Sequence, residues 1–89
     1  MIRVKRETIL KNMPNGVPFH VAKGNLKGYA IRKGLIKLPY SVYVKGVEHL
    51  WNSNAITLRD YDMFMGFLRV GDYQRVLCNR QFKRLIKII

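Results

Sequence analysis

The sequence has few acidic residues. Five Asp and Glu stand against 17 Lys and Arg among 89 residues, which gives a formal net charge of +12 at neutral pH. A positive charge of this density destabilises the compact state through self-repulsion, and an anionic partner relieves that cost. The shortage of carboxylates also limits chemistry, because general acid and base catalysis needs titratable groups that converge on a substrate. The composition therefore favours binding of an anion, and we expect no enzymatic activity.

Cysteine is nearly absent, since Cys78 is the only one. A single cysteine cannot form an internal disulfide, so a disulfide-stapled scaffold is excluded and a reducing, cytoplasmic location is expected. His20, His49 and Cys78 show no metal-ligand spacing, so we expect no metal and no cofactor. No stretch free of charged residues approaches the roughly 20 apolar residues that a membrane span needs.

Hydrophobic residues are nevertheless plentiful, at 48% of the chain. This fraction lies well above the depleted composition of disordered chains, so a packed core is expected. A chain of this length supports one core and not two. We therefore predict a single small basic domain over residues 1–89.

The first half of the chain has the pattern of short strands. Glycine, proline and asparagine recur as turn signals, and a Gly24-Asn25 hairpin turn is expected. Apolar residues alternate with polar ones, which is the strand period. The longest alternation is formed by Ile36, Leu38, Tyr40, Val42 and Val44. Four strands are predicted, near residues 2–10, 17–23, 26–32 and 35–45.

The second half has the pattern of helices. Thr57 and Asp60 form a variant capping box, so a helix should begin at Leu58, and Gly71 should end it. Asp72 is expected to cap a second helix from Tyr73 to about residue 87, with Cys78 on its buried side. The predicted fold class is α+β, a small antiparallel sheet of about four strands packed against two C-terminal α-helices.

The basic residues supply the candidate contacts to an anion. At helical spacing, Arg80, Lys83, Arg84 and Lys87 share one face of the last helix, where they suit backbone phosphates. A tight loop presents Lys23 and Lys27, with glycines that could expose backbone amides to a phosphate. The predicted sheet adds a possible wet face formed by Arg3, Lys5, Lys37, Tyr43 and Lys45, on which the tyrosine would stack a base.

Two hypotheses follow from these residues. In the first, the protein is a non-enzymatic nucleic-acid-binding domain that holds the phosphates of DNA or RNA on its helix and sheet surfaces. In the second, it is a small interaction module, such as an adaptor, an inhibitor or a viral or assembly component, that docks an acidic protein. The predicted helix that begins at Leu58 has a second apolar side. That side consists of Met63, Phe67 and Val70, and either the connector around Trp51 or a partner would cover it.

Overall fold

A computed structural model describes residues 2–13 and 25–89. The two ends of this part of the chain are short strands, and everything between them is helical or irregular. In order, the elements are β1 (Ile2–Val4), α1 (Arg6–Lys11), α2 (Leu26–Arg32), α3 (Tyr40–Asn52), α4 (Leu58–Arg69), α5 (Tyr73–Leu77), α6 (Arg80–Lys83) and β2 (Ile86–Ile88). The fold is mostly helical, with one two-stranded parallel sheet among the described residues.

The predicted four-stranded antiparallel sheet packed against two helices is therefore wrong. The expected strand at 2–10 is cut short, because β1 ends at Val4 and α1 follows. The expected strand at 26–32 is helix α2, and the one at 35–45 runs into helix α3. The expected strand at 17–23 lies outside the described residues.

Helix α3 forms where the alternation of apolar residues had predicted a strand. Its buried side is made by Tyr43, Val47 and Leu50, which lie four and three residues apart and so share one helical face. Gly46 lies on the same side and lets α3 approach α6, since a Cβ atom there would meet Phe82 Cε2 at 2.8 Å. Burial of this face stabilises a helix, so the alternation of apolar residues does not determine the secondary structure of this segment.

Helix α2 begins at an asparagine cap where a hairpin turn was predicted. The Asn25 side chain accepts a hydrogen bond from the Gly28 amide at 3.1 Å, which satisfies one of the free amides of the first turn. Leu26, Tyr29 and Ala30 then turn inward. The hairpin prediction is wrong in its second strand, and its Gly24 lies outside the described residues.

The start of α4 at Leu58 is confirmed. Thr57 Oγ1 accepts from the Asp60 amide at 3.2 Å, and the Asp60 carboxylate accepts from the Thr57 amide at 3.3 Å, so the predicted capping box is present. Gly71 follows the helix with φ of 77°, the left-handed conformation expected of a helix stop.

The predicted last helix is wrong because it is broken twice. The Asn79 side chain accepts from the amides of Gln81 and Phe82 and thereby starts α6 as a separate helix. Residues 86–88 then leave the helix and pair with β1. Asp72 does not cap α5 through its side chain but forms an ion pair with Arg75 at 2.9 Å. Cys78, predicted to be buried, is exposed.

The parallel sheet joins the two ends of the chain. Ile2 pairs with Ile86, Arg3 with Lys87 and Val4 with Ile88. Beneath it and between the helices lies one core, in which α3 packs against α4 and α6. The largest fully buried side chains are Phe64, Phe82, Ile9, Ile31, Leu68, Leu77, Val47 and Val76. The Gln74 side chain donates a hydrogen bond to the Ile31 carbonyl and so links α5 to α2, and residues of α2 and α6 line the site described next.

Candidate anion-binding site

A cleft of about 560 Å³ lies between the start of α2 and the segment that links α5 to α6. We call it the basic cleft. Its lining consists of Asn25, Lys27, Gly28, Ile31, Cys78, Arg80, Lys83 and Arg84. Four of these eight residues are cations, and no Asp or Glu of the described ranges lines it. The cleft therefore concentrates positive charge in a concave space.

Two asparagine caps and one long-range hydrogen bond build the cleft. Asn25 fixes the first turn of α2, which carries Lys27, and Asn79 fixes the turn that carries Arg80. The Gln74 side-chain amide donates to the Ile31 carbonyl at 2.6 Å and ties α5 to the end of α2. These three side chains therefore hold the two walls of the cleft, the start of α2 and the segment that links α5 to α6, in fixed positions.

The charges in the basic cleft act on one another. Burial lowers the pKa of Lys27 below its ordinary value of 10.5, and the neighbouring charge of Lys83 lowers it further. A shift in this direction means that the site disfavours an additional positive charge. An anion between these side chains would remove the repulsion between Lys27 and Lys83.

A second cavity, of about 640 Å³, lies between β1, residues 37–39 and one face of α3. We call it the amphipathic cavity. Its apolar lining consists of Ile2, Val4, Leu38, Pro39, Val42 and Leu85, with Gly46. Its polar lining consists of Arg3, Lys5, Lys37, Lys45, Thr8 and His49. The cavity combines an aliphatic floor with a cationic rim and differs in chemistry from the basic cleft.

The structure brings together many of the candidate contact residues, though not by the predicted architecture. Lys27 joins Arg80, Lys83 and Arg84 in the basic cleft. Lys87 leaves this group because it lies in β2 beside Arg3. The predicted sheet-face residues Arg3, Lys5, Lys37 and Lys45 line the amphipathic cavity. Lys23 lies outside the described residues.

Tyr43 is removed from the candidate contacts. Its side chain is only 3% exposed, and its ring stacks against Tyr73 and Phe82 with centroids 5.1 and 5.6 Å apart. Burial raises the pKa of the Tyr43 hydroxyl, and Tyr73 adds to the shift. A base has no access to this ring, so Tyr43 belongs to the core.

The candidate interaction patch is split. Phe67 is half-buried against the core, and the Arg75 guanidinium lies 5.3 Å from its ring centroid. Met63 and Val70 remain 45% and 77% exposed. Trp51 belongs to helix α3 and not to a connector, and its ring packs on Tyr61 with 4.6 Å between centroids.

Sequence reasoning missed several cleft residues. The sequence predicts a turn at Asn25 and a buried position for Cys78, yet both line the basic cleft. The signal for Asn79 was present, because asparagine is a preferred N-cap residue and interrupts the second predicted helix. Placing Lys27 opposite Lys83 required the tertiary fold, since these residues are far apart in the chain.

Comparison with protein-family models, with curated proteins and with solved structures found no match. Over residues 2–13 and 25–89, no helix is both long and apolar enough to span a membrane. Within the same ranges no three His, Cys, Asp or Glu side chains gather into a possible metal site.

Proposed function

We propose that the protein is a non-enzymatic, cytoplasmic nucleic-acid-binding domain that holds backbone phosphates in the basic cleft. The observation that carries this proposal is the convergence of Lys27, Arg80, Lys83 and Arg84 on one cleft lined by no described carboxylate. Phosphates are bound by lysine and arginine, and arginine in particular donates two parallel hydrogen bonds to one phosphate. Such contacts hold the backbone without reading its sequence.

The charge of the whole chain favours a polyanion over a small anion. A ligand confined to the cleft would neutralise four cations, whereas the chain carries a net charge of +12. A nucleic acid extends beyond the cleft and presents a charge at every phosphate, so it relieves repulsion across the surface as well. Arg32 and Lys33, which are exposed at the end of α2, are available to such an extended ligand.

The single cysteine provides a direct test of this location. Cys78 is exposed and lines the basic cleft, so its alkylation rate reports on access to the site. We expect a duplex or single-stranded oligonucleotide to slow alkylation of Cys78 by iodoacetamide, and added salt to restore the rate. Alkylation of an equimolar cysteine peptide in the same tube controls for the reagent.

A matched competitor separates the nucleic-acid proposal from docking of an acidic protein. Polyglutamate presents carboxylates without the spacing or shape of a phosphate backbone. The proposal expects the oligonucleotide to protect Cys78 at concentrations where polyglutamate of equal charge does not. Equal protection by both would favour the acidic-protein alternative, and unprotected Cys78 in a bound complex would place the nucleic acid elsewhere.

A further inference from the structure

Strand β1 is paired along one edge only among the described residues. The Ile2 amide donates to the Leu85 carbonyl, the Ile89 amide to the Val4 carbonyl and the Arg6 amide to the Ile89 carbonyl, at 2.8 to 2.9 Å. In a parallel pair, every second residue of a strand directs its amide and carbonyl to the partner. The backbone groups of Arg3 therefore point away from β2.

The free edge of β1 faces the amphipathic cavity. Four consecutive residues, numbers 2 to 5, line that cavity. Three of the four, residues 2 to 4, are the whole of β1, and Lys5 follows the strand. Successive side chains of a strand point to opposite faces, so a cavity that touches all three strand residues lies along the strand's edge and not over one face. The amide and carbonyl of Arg3, which have no backbone partner among residues 2–13 and 25–89, are thus presented to the cavity.

The rest of the cavity supplies the other parts of a peptide groove. Its floor contains Leu38, Val42 and Leu85, side chains that can receive aliphatic groups. Its rim carries the exposed cations Arg3, Lys5, Lys37 and Lys45, and no carboxylate of the described residues lines it. A volume of about 640 Å³ falls within the range of ligand-binding pockets, about 300 to 1,000 Å³.

We propose that the amphipathic cavity docks an extended acidic segment of a partner protein, which adds a strand to the free edge of β1. Backbone hydrogen bonds to Arg3 hold the segment, alternate aliphatic side chains enter the floor, and its carboxylates meet the cationic rim. This is the mode of recognition in which a peptide extends an existing sheet. The site is separate from the basic cleft and does not depend on nucleic-acid binding.

Charge complementarity selects this occupant. Residues 14–24, which lie outside the described ranges, include no Asp or Glu, so that segment lacks the charge that the rim requires. A second copy of the chain is equally unsuited, because it carries five acidic residues against 17 basic ones. The described lining holds His49 but no Phe, Tyr or Trp on which a nucleic-acid base would stack, so the cavity suits aliphatic groups.

The test uses a labelled peptide that alternates glutamate and valine, with both ends blocked, and follows its fluorescence anisotropy with the full chain. We expect saturable binding. A peptide with lysine in place of glutamate should not bind, and one with serine in place of valine should bind more weakly. Methylation of the peptide's backbone nitrogens, which leaves the protein untouched, should weaken binding about fivefold or more for each ladder bond lost.

Two variants of one residue locate the peptide on β1. Arg3→Pro removes the amide that faces the cavity, whereas Arg3→Ala removes the same charge and keeps the amide. Proline is tolerated on an edge whose N–H is not used by the sheet, so both variants should fold, as circular dichroism will show. Arg3→Pro should bind the peptide about fivefold more weakly than Arg3→Ala.

Equal affinities for Arg3→Pro and Arg3→Ala, or full affinity of the methylated peptide, would overturn the docking mode. Binding that depends on the glutamates of the peptide but not on its valines would also overturn the docking mode, because the aliphatic floor would then contribute nothing to affinity. Oligonucleotide protection of Cys78 should be equal in Arg3→Pro and Arg3→Ala, because both remove the same charge, which lies outside the basic cleft, and they differ only in the amide on β1. Failure of this proposal is therefore distinguishable from failure of the nucleic-acid proposal.

Discussion

Lys27 and Lys83 line the same basic cleft, where burial lowers the pKa of Lys27 and the charge of Lys83 lowers it further. These two lysines lie 56 positions apart in the sequence, and the fold brings both to the cleft. Their repulsion is a cost that the fold tolerates. The repulsion can be measured, because the pKa of Lys27 responds to the charges that lie near it in the cleft.

Replacement of Lys83 should raise the pKa of Lys27. Lys83→Met keeps much of the aliphatic stem and removes the charge, so only the desolvation of Lys27 should continue to lower its pKa. An oligonucleotide bound to the wild-type cleft should raise the same pKa, because phosphates favour the charged lysine. NMR titration of the Lys27 side chain measures both shifts, and an unchanged value in Lys83→Met would contradict the geometry.

The same pair predicts a pH dependence of stability. Because the pKa of Lys27 is lower in the folded chain than its ordinary value of 10.5, the folded state binds fewer protons than the unfolded state between the two values. The contribution of Lys27 to the free energy of unfolding therefore rises with pH across that window. Urea unfolding of the wild type and of Lys83→Met should show a smaller rise in the variant.

Gly46 should be intolerant of a side chain. A Cβ atom there would lie 2.8 Å from Phe82 Cε2 and 3.4 Å from Leu85 Cδ1, so Gly46→Ala forces α3 away from α6. Overpacking of this kind costs about 1 to 3 kcal/mol. Gly66→Ala is the matched control, because Gly66 is also in a helix but a Cβ atom there would meet no atom of another described residue within 4 Å outside the helix's own backbone. It should stabilise α4 by up to about 1 kcal/mol, and equal effects in urea unfolding would contradict the packing.

The parallel sheet predicts opposite outcomes for two proline variants. The register directs the Lys87 amide toward β1, so Lys87→Pro removes a ladder hydrogen bond. We expect a loss of about 1 to 3 kcal/mol, since the β1 carbonyl is then left without its donor. Arg3→Pro affects the free edge of the same pair and should cost less. A larger loss in Arg3→Pro than in Lys87→Pro would show that the register is shifted.

Features that depend on neighbouring residues could be predicted from the sequence. The start of α4 was predictable because the side chains of Thr57 and Asp60 bond to amides within one turn. The grouping of Arg80, Lys83 and Arg84 was predictable for a similar reason. These residues are close in the sequence, so they stay near one another even though the longer predicted helix is broken. Their role in binding stays a prediction.

Features that depend on distant residues could not be predicted. Alternation from Ile36 to Val44 favoured a strand, but Tyr43 and Val47 are buried on one face of helix α3 instead. The last residues form β2 because β1, at the other end of the chain, supplies the partner. Arg3, Lys5, Lys37 and Lys45 do share one cavity, but its wall combines a strand, a loop and a helix.

The most direct measurement of the central claim is the salt dependence of oligonucleotide binding by two matched double variants. Arg80→Ala/Arg84→Ala removes two arginines that line the basic cleft, and Arg59→Ala/Arg69→Ala removes two exposed arginines that do not. Both change the net charge equally, so they separate the cleft from overall electrostatics.

If the four cleft cations each neutralise one phosphate of a duplex, they contribute about −3.6 to the slope of log K against log salt, so that twofold more salt weakens binding about twelvefold through the cleft alone. We expect the slope of the cleft variant to be shallower than that of the wild type by about 1.8 and the slope of Arg59→Ala/Arg69→Ala to be nearly unchanged. Equal slopes for the two variants would show that the nucleic acid does not enter the basic cleft.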